Sequence, residues 1–333
     1  MRKLFLPTQL KDYYRFFQTP ARRWWFGLIG LIGSLVLLVG YMLLFTLMPS
    51  MERPENVGAW QYPVEFLAGQ LVIGGFIGVS VLASWIFYRQ GFGWLSSVVG
   101  RFRLKWFAVT TAVFSIGFIL LNVCTFLLLG SPAGLELTVR PYTALMIVVI
   151  LLATPFQAAG EEYFFRGIIG RTIAAIVPFR KVGLILSCLI STLFFMVLHQ
   201  DAYVTNNIVY ITMGLATWWL AYRTGGIEAS VALHTFQNLI GRWPLPFIDF
   251  AELPDKVDNG VLSLILTIVF TIVLTMIVDI LARRRGLVQM SSPSANVPEV
   301  VKVGKMTIDI VSSVEPATKD DLPRFDTTIR CDS

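Results

Sequence analysis

The sequence predicts an all-α polytopic membrane protein with about eight transmembrane helices and both termini in the cytoplasm. Of its 333 residues, 55% are hydrophobic and 14% are charged, whereas soluble domains carry roughly 25% charged residues. The mean hydropathy is +0.68. The apolar residues fall into long runs, and lysine and arginine gather in alternate connections between those runs, which is the pattern of the positive-inside rule.

The net charge of +6 is therefore interpreted as a topology signal. Basic residues gather at 1–24, 89–105, 171–181 and 283–285. No basic patch alternates with exposed aromatic residues on a soluble domain, so we expect no nucleic-acid partner. The three cysteines are scattered and form no disulfide framework. The expected environment is the lipid bilayer, and the sequence indicates no oligomeric state.

The N-terminal part divides into an arm and three spans. Residues 1–24 are basic and aromatic and lead into the pair Trp24 and Trp25, which is typical of an interfacial anchor on the cytoplasmic side. Residues 25–141 then hold three transmembrane helices. The first is too long for a signal-peptide core, so we expect it to be retained. The expected bounds of the three helices are 25–48, 64–88 and 106–129.

The C-terminal part divides into a helical core, over residues 142–286, and a tail. Pro178 ends the first helix of the core, because proline cannot continue a helix. Residues 287–333 are rich in Ser, Pro, Asp, Lys and Thr and predict a mostly disordered cytoplasmic tail. The expected helices of the core are 142–176, 182–199, 206–222, 227–241 and 260–282.

Two adjacent carboxylates and an arginine, at Glu161, Glu162 and Arg166, follow a long apolar run in the helix predicted over 142–176. Charged groups at membrane depth are costly and usually functional. Glu162 and Arg166 are four residues apart, so they can pair on one helix face and support the helix. Glu161 lies about 100° around the helix and is expected to face a reaction cavity. An interfacial ion pair without chemistry is the structural alternative.

The chain has only two histidines, His199 and His234, and both end or interrupt apolar helices. Counted from the turn near Phe179, Glu162 and His199 each lie roughly 25–30 Å along antiparallel helices, so they are expected at similar depth. His234 lies shallower in its own hairpin and shares a helix face with Asn238. Helix-interface contacts for the histidines and an interhelical hydrogen bond for Asn238 are the alternatives.

These side chains suit the hydrolysis of an amide bond by water. Such a reaction needs a base for the water and hydrogen-bond donors for the tetrahedral oxyanion. Glu161 and His199 are the candidates that activate water, and His234 and Asn238 are the candidates that stabilise the oxyanion. A zinc site of Glu161, His199 and His234 is another interpretation, although the chain has no HExxH motif and the three lie on three helices.

Three motifs occur in order on successive helices: Glu-Glu-x-x-x-Arg over 161–166, Phe-x-x-x-His over 195–199 and His-x-x-x-Asn over 234–238. Together they resemble the CPBP family of intramembrane endopeptidases, which includes CAAX prenyl proteases and bacteriocin-processing proteases. The run Phe165-Arg166-Gly167 resembles the bacterial branch. The resemblance extends over about 143–241.

The resemblance implies a membrane endopeptidase whose substrate is a membrane-associated peptide or protein tail. It implies that Glu161 and His199 activate water, that His234 and Asn238 support the oxyanion, and that the second glutamate and the arginine of the first motif give support. Family members are described both as metalloproteases and as metal-free glutamate-type enzymes, so the implied cofactor is either zinc or none. A bacterial member would be a multi-pass protein of the plasma membrane.

Two other functions are compatible with the same composition. A non-catalytic scaffold or immunity protein of this fold would be expected to have lost a motif residue, and none is missing. A transporter could use buried charges to relay protons, but the chain lacks the repeated halves and broken helices of many transporters.

Overall fold

The computed structural model describes residues 5–19, 22–46, 61–130, 137–248, 260–293 and 300–303. Its α-helices are α1 (Trp25–Thr46), α2 (Gln61–Gly74), α3 (Phe76–Ala83), α4 (Phe92–Ser96), α5 (Leu104–Leu129), α6 (Thr143–Glu162), α7 (Arg171–Ile176), α8 (Arg180–Leu198), α9 (Val204–Thr224), α10 (Glu228–Arg242) and α11 (Gly260–Arg284). Two π-helices, Ser84–Tyr88 and Tyr163–Gly170, and two 3₁₀ helices, Tyr14–Phe17 and Leu245–Phe247, complete the helical structure. The strands are β1 (Lys11–Asp12), β2 (Leu287–Ser291) and β3 (Val300–Val303).

Six helical segments of the described residues are long and apolar enough to cross a membrane: Trp25–Phe45, Gln61–Tyr88, Leu104–Leu129, Thr143–Ile176, Arg180–Leu198 and Gly260–Arg284. They confirm the all-α polytopic class. The predicted spans 206–222 and 227–241 are present as helices α9 and α10 but do not belong to this group. α10 has 15 residues and is ~22 Å long, which is shorter than the ~30 Å hydrocarbon layer.

The helices of the N-terminal part pack directly around those of the C-terminal part. α2 packs on α6, α1 packs on α7, and α5 packs on α10 and α11. α10 is enclosed by α5, α6 and α9, and every residue from Glu228 to Thr235 is buried. Because protein surrounds this half of α10, its polar side chains face neighbouring helices instead of lipid. The first three transmembrane helices thus contact α6, α7, α10 and α11 directly.

The two adjacent glutamates lie in the interior of one long helical segment, Thr143–Ile176. This segment has 34 residues and is ~51 Å long. α6 ends at Glu162, the π-helix follows at once, and α7 completes the segment. The interior position expected for the glutamates is confirmed. The π-helix is not predicted by the sequence, because its apolar residues resemble those of the α-helical turns around it.

Part of the N-terminal arm packs into the protein core, and its position at the membrane interface stays a prediction. Four of its aromatic side chains are at most 1% exposed: Tyr13, Tyr14, Phe16 and Phe17. The reason is a buried cation on α7. The Arg171 guanidinium lies over the rings of Tyr13, Phe16 and Phe17, with 4.2 Å to the nearest ring centroid, and such cation–π contacts stabilise aromatic burial.

The segment after α11 begins with a strand, which corrects the expected disorder for residues 287–291. β2 pairs antiparallel with β1 of the arm and with β3. The Ser291 hydroxyl also donates a hydrogen bond to the Val98 carbonyl. The arm supplies a partner for the backbone groups of β2, and the tail sequence alone does not reveal that partner. The disorder expected for 304–333 falls outside the described residues.

Candidate active site

Close helix packing buries the two glutamates. A Cβ atom on Gly160 would lie 2.3 Å from the Ile73 carbonyl oxygen, so only glycine allows this approach of α6 to α2. Small residues commonly permit such contacts between membrane helices. Glu162 is fully buried and Glu161 is 8% exposed. Each therefore needs partners within the protein, because an uncompensated buried carboxylate is very costly.

Glu162 is held by two groups from different parts of the chain. Its Oε1 atom lies 3.2 Å from Arg166 Nη1, one turn further along the helix. The same atom lies 2.8 Å from His234 Nδ1 on α10. A carboxylate only accepts hydrogen bonds, so Nδ1 of His234 carries the proton in this contact. The pairing expected between Glu162 and Arg166 is confirmed, and its extension to His234 is an addition.

Arg166 is fixed on its other side as well. Its Nη2 donates a hydrogen bond of 3.3 Å to the Gly214 carbonyl on α9, and its guanidinium lies 4.9 Å from the centre of the Phe195 ring. Arg166 is fully buried. This arginine therefore joins α9, α8 and the π-helix around Glu162.

Glu161 faces the other nitrogen of the same histidine. Its Oε2 atom lies 3.1 Å from His234 Nε2. The angles do not make this contact a hydrogen bond, and neither atom has a hydrogen-bond partner among the described residues. His234 thus lies between two carboxylates, one bonded to Nδ1 and one close to Nε2. Buried polar atoms without partners are costly, and these two point to the same small region.

His199 lies near His234 because both rings pack against Phe195. The Phe195 ring lies 4.5 Å from the His199 ring and 5.5 Å from the His234 ring, centre to centre. His199 Nδ1 lies 2.8 Å from the Phe195 carbonyl oxygen, so Nδ1 carries a proton and Nε2 is an acceptor in the neutral ring. The ring also stacks on Tyr210 at 4.1 Å. The histidine in direct contact with Glu161 is His234.

Asn238 lies one helical turn after His234 and belongs to a second polar cluster. Its Nδ2 donates a hydrogen bond of 2.9 Å to Gln157 Oε1. Arg242 Nη1 donates to the same oxygen at 3.2 Å and to Thr154 Oγ1 at 3.1 Å. Gln157 lies one helical turn before Glu161, and Arg242 lies one turn after Asn238. This four-residue spacing places each of them on the helix face of a predicted site residue, but it does not report the contact between the two helices.

The set Glu161, His199 and His234 does not fit a zinc ion in this arrangement. Structural and catalytic zinc sites draw at least three protein ligands to one point. Among the described residues, no group of three or more His, Cys, Asp or Glu side chains is placed to hold a metal ion. His234 also has Nδ1 engaged with Glu162 and Nε2 turned to Glu161. We therefore derive no chemical step through a metal.

Residues 141–240 match the family model described as Type II CAAX prenyl endopeptidase Rce1-like. Comparisons with curated proteins and with solved structures each found no significant match. The matched residues contain all three motifs and the polar contacts around Glu161 and Glu162. The bacterial branch stays a prediction, since the family model does not distinguish it. Through residues 141–240, this chain is similar to the Rce1-like CAAX prenyl endopeptidases, a similarity that supports its resemblance to the CPBP family of intramembrane proteases.

Proposed function

We propose that this protein is an intramembrane endopeptidase in which Glu161 activates the water that cleaves a peptide bond. The observation that carries the proposal is the buried contact of 3.1 Å between Glu161 Oε2 and His234 Nε2, within the segment that matches the protease family. Glu162 accepts a hydrogen bond from Nδ1 of His234, and Arg166 pairs with Glu162. A base and a hydrogen-bond donor thus face the same region.

In the first step, Glu161 takes a proton from a water molecule. The resulting hydroxide attacks the carbonyl carbon of the scissile bond and forms a tetrahedral oxyanion. His199 steers the water through Nε2, which is the acceptor nitrogen when Nδ1 donates to the Phe195 carbonyl. General base catalysis of this kind contributes about 10²–10⁴ in rate.

The oxyanion then needs hydrogen-bond donors. His234 supplies Nε2–H when its ring is protonated, and that form is favoured because carboxylates face both nitrogens. Asn238 supplies its Nδ2 amide, which Gln157 orients. Donors that are already oriented in a buried site stabilise developing charge without reorganisation.

In the last step, the proton held by Glu161 passes to the nitrogen of the leaving amine. The carbon–nitrogen bond breaks, and the products are a carboxylic acid and an amine. Glu161 returns to its ionised form. Glu162 stays paired with Arg166 throughout, so the two carboxylates have separate roles: Glu161 transfers protons and Glu162 keeps His234 in place.

The proposed mechanism is of the metal-free glutamate type. It is supported by the poor fit of the side chains to zinc, described above. The test is elemental analysis of purified protein combined with a chelator. We expect a sample shown to be free of metal to retain its activity. Loss of activity that zinc restores would instead support a metalloprotease mechanism.

The proposed substrate is a membrane-associated peptide or protein tail. The site lies inside a helix long enough to cross the bilayer, so a substrate has to reach it from the membrane. The matched family is named for CAAX prenyl endopeptidases, which makes a farnesylated C-terminal peptide a suitable first probe. We place the protein in the plasma membrane if it is bacterial.

The test compares reconstituted wild-type protein with Glu161→Ala and His199→Ala. Terminal peptide mapping of membrane proteins, together with the farnesylated probe, identifies cleavage products. We expect products from the wild type and none from either variant. Glu65→Ala removes a carboxylate from α2 that accepts a hydrogen bond from Gln61, and it should leave cleavage unchanged. Full activity in either site variant would overturn the proposal, and a wild type without any product would favour the non-catalytic scaffold.

A further inference from the structure

A second polar cavity lies between the N-terminal arm, the start of α1 and the end of α7. Its volume is about 460 Å³. Four cationic side chains line it, and no carboxylate does: Lys11, Arg15, Arg22 and Arg23. Hydroxyl and amide groups from Thr8, Gln18 and Thr19 are also at its wall. Arg15 is buried, Lys11 and Arg22 are partly buried, and Arg23 is exposed, so the cavity opens to the protein surface.

The four cations are not neutralised by neighbouring acids. None of them forms an ion pair with a described residue. Lys11 Nζ donates to the Gln18 side chain at 3.2 Å, and Arg15 Nη2 donates to the Pro178 carbonyl at 3.2 Å. Asp12 is the nearest acid in the chain, but its carboxylate is engaged by Arg180 at 3.2 Å. With four cations and a single carboxylate nearby, the cavity carries a net positive charge.

Several polar atoms at the cavity are buried without a partner. The Nε atoms of Arg15 and Arg22 and the hydroxyl of Thr19 have no hydrogen-bond partner among the described residues. Arg15 is only 9% exposed. Guanidinium groups bind planar or tetrahedral oxyanions through paired N–H donors. An anion with several oxygens would satisfy these donors together.

The pKa values of three of these cations are lowered. Burial lowers the pKa of the Lys11 ammonium, and the positive charge of Arg15 lowers it further. Burial also lowers the pKa of Arg15 and Arg22. Asp12 opposes this lowering for Lys11 and Arg15 but does not cancel it. A bound anion would raise these pKa values, because it favours the charged form of each cation.

The cavity also lies beside the start of the first helix that is long enough to cross a membrane. Trp24 lines its edge and is 62% exposed, and Trp25 begins the first helix that can cross the membrane. Tryptophan is enriched at membrane interfaces. Ala175 and Ile176, at the end of the long helix that carries Glu161, form the opposite wall.

We propose that this cavity binds a phosphate group, supplied by the headgroup of an acidic phospholipid or by a phosphate in solution. The basic lining provides the charge, and the unpartnered Arg15 and Arg22 donors provide the hydrogen bonds. The interfacial tryptophans favour the lipid as the source. Basic pockets between transmembrane helices on the cytoplasmic side bind anionic headgroups in the same way.

The test uses the full-length protein in a neutral detergent. Native mass spectrometry measures the binding of dioleoylphosphatidylglycerol, of zwitterionic dioleoylphosphatidylcholine and of inorganic phosphate. The variant is Arg22→Gln with Arg23→Gln. The matched control is Arg101→Gln with Arg284→Gln, which removes the same charge from exposed positions outside the cavity. The variant Arg22→Lys with Arg23→Lys keeps the charge and reports on folding.

We expect phosphatidylglycerol to bind the wild type and the control equally. Its half-saturating concentration should rise by about 30-fold in the glutamine variant, since each cation near a charged membrane surface contributes about a factor of five. The lysine variant should lie between. Binding of inorganic phosphate that depends on the same arginines would identify phosphate in solution as the source. Equal binding of phosphatidylglycerol by the wild type and the glutamine variant, or by the control and that variant, would overturn the proposal.

Discussion

Glu162 links three helices through one carboxylate oxygen. Its Oε1 atom contacts Arg166 within its own helical segment and His234 on α10, and Arg166 continues the contact to the Gly214 carbonyl on α9. Removal of one partner from a buried pair leaves an uncompensated charge, which costs far more than the pair contributes. The stability of the site therefore depends on residues that take no part in the proton transfers.

Arg166→Gln is expected to lower the free energy of unfolding by about 3–5 kcal/mol. Arg283→Gln is the matched control. Arg283 also pairs with a carboxylate four residues away, Asp279, but its side chain is 52% exposed, and Asp279 keeps Arg223 as a partner. The control should cost about 0–1 kcal/mol. Denaturation in detergent micelles measures both, and equal losses would contradict the buried network.

Asn238→Ala is expected to lower kcat by about 10²–10³ with little change in KM, since it removes a donor that acts on the transition state. Gln237→Ala is the control, because Gln237 lies on the same helix and contacts Thr271 of α11 at 3.4 Å. Steady-state kinetics in proteoliposomes separate the two parameters. A change confined to KM would assign Asn238 to substrate binding.

At the residue scale, helical spacing predicted the pairs but not the partners across helices. The Glu162 and Arg166 contact follows from a separation of four residues. The contact between Glu162 and His234 depends on how α10 packs on α6, which spacing within one helix does not report. Gln157 and Arg242 were missed for the same reason, since their shared hydrogen-bond cluster forms only when the two helices meet.

At the scale of the helix, Gly160 sets how closely α6 approaches its neighbour. The Ile73 carbonyl oxygen and the Gly74 Cα would lie 2.3 Å and 2.9 Å from an added Cβ. Because these are backbone atoms, they cannot move aside as a flexible side chain could. The position of Glu161, the next residue, follows from this contact.

Gly160→Ala is therefore expected to separate α6 from α2 and to lower both stability and cleavage. An overpacked core position typically costs about 1–3 kcal/mol. Gly78→Ala is the control, since no atom lies within 4 Å of the added Cβ there, and alanine favours a helix. Thermal unfolding and the cleavage assay report the two effects. A Gly160→Ala protein as stable as Gly78→Ala would contradict this packing.

Most helices could be predicted from hydropathy, whereas the arm and the π-helix could not. Long apolar runs identified each helix from α5 to α11 within a few residues, because a span must satisfy its own backbone hydrogen bonds in lipid. The arm was expected at the membrane surface because its composition is basic and aromatic. Its burial depends on Arg171, a distant residue whose side chain the composition could not place.

At the scale of the whole molecule, the distribution of basic residues predicts the orientation in the membrane. We expect Arg101 and Arg284 on the cytoplasmic side and Val139 on the opposite side. Single cysteines at these three exposed positions, in a background without the native cysteines, can be treated with a membrane-impermeant maleimide. Val139→Cys should react in intact cells, and the other two only after permeabilisation. The reverse pattern would invert the topology.

The orientation also relates the two proposed sites. Glu161 lies in the interior of the long helix Thr143–Ile176, and the phosphate cavity lies at the end of that helix. One end of the segment is thus expected at the headgroup level while its middle holds the catalytic groups. A substrate anchored in the membrane could reach the glutamates without leaving the bilayer.

The most direct test of the account is the kcat of Glu161→Gln in proteoliposomes, measured on a substrate that the wild type cleaves. Glutamine keeps the shape of the side chain but cannot take a proton from water. We predict a fall of about 10²–10⁴ in kcat, with unfolding in detergent close to that of the wild type and with Glu65→Gln fully active. A Glu161→Gln protein that cleaves at the wild-type rate would contradict the central claim.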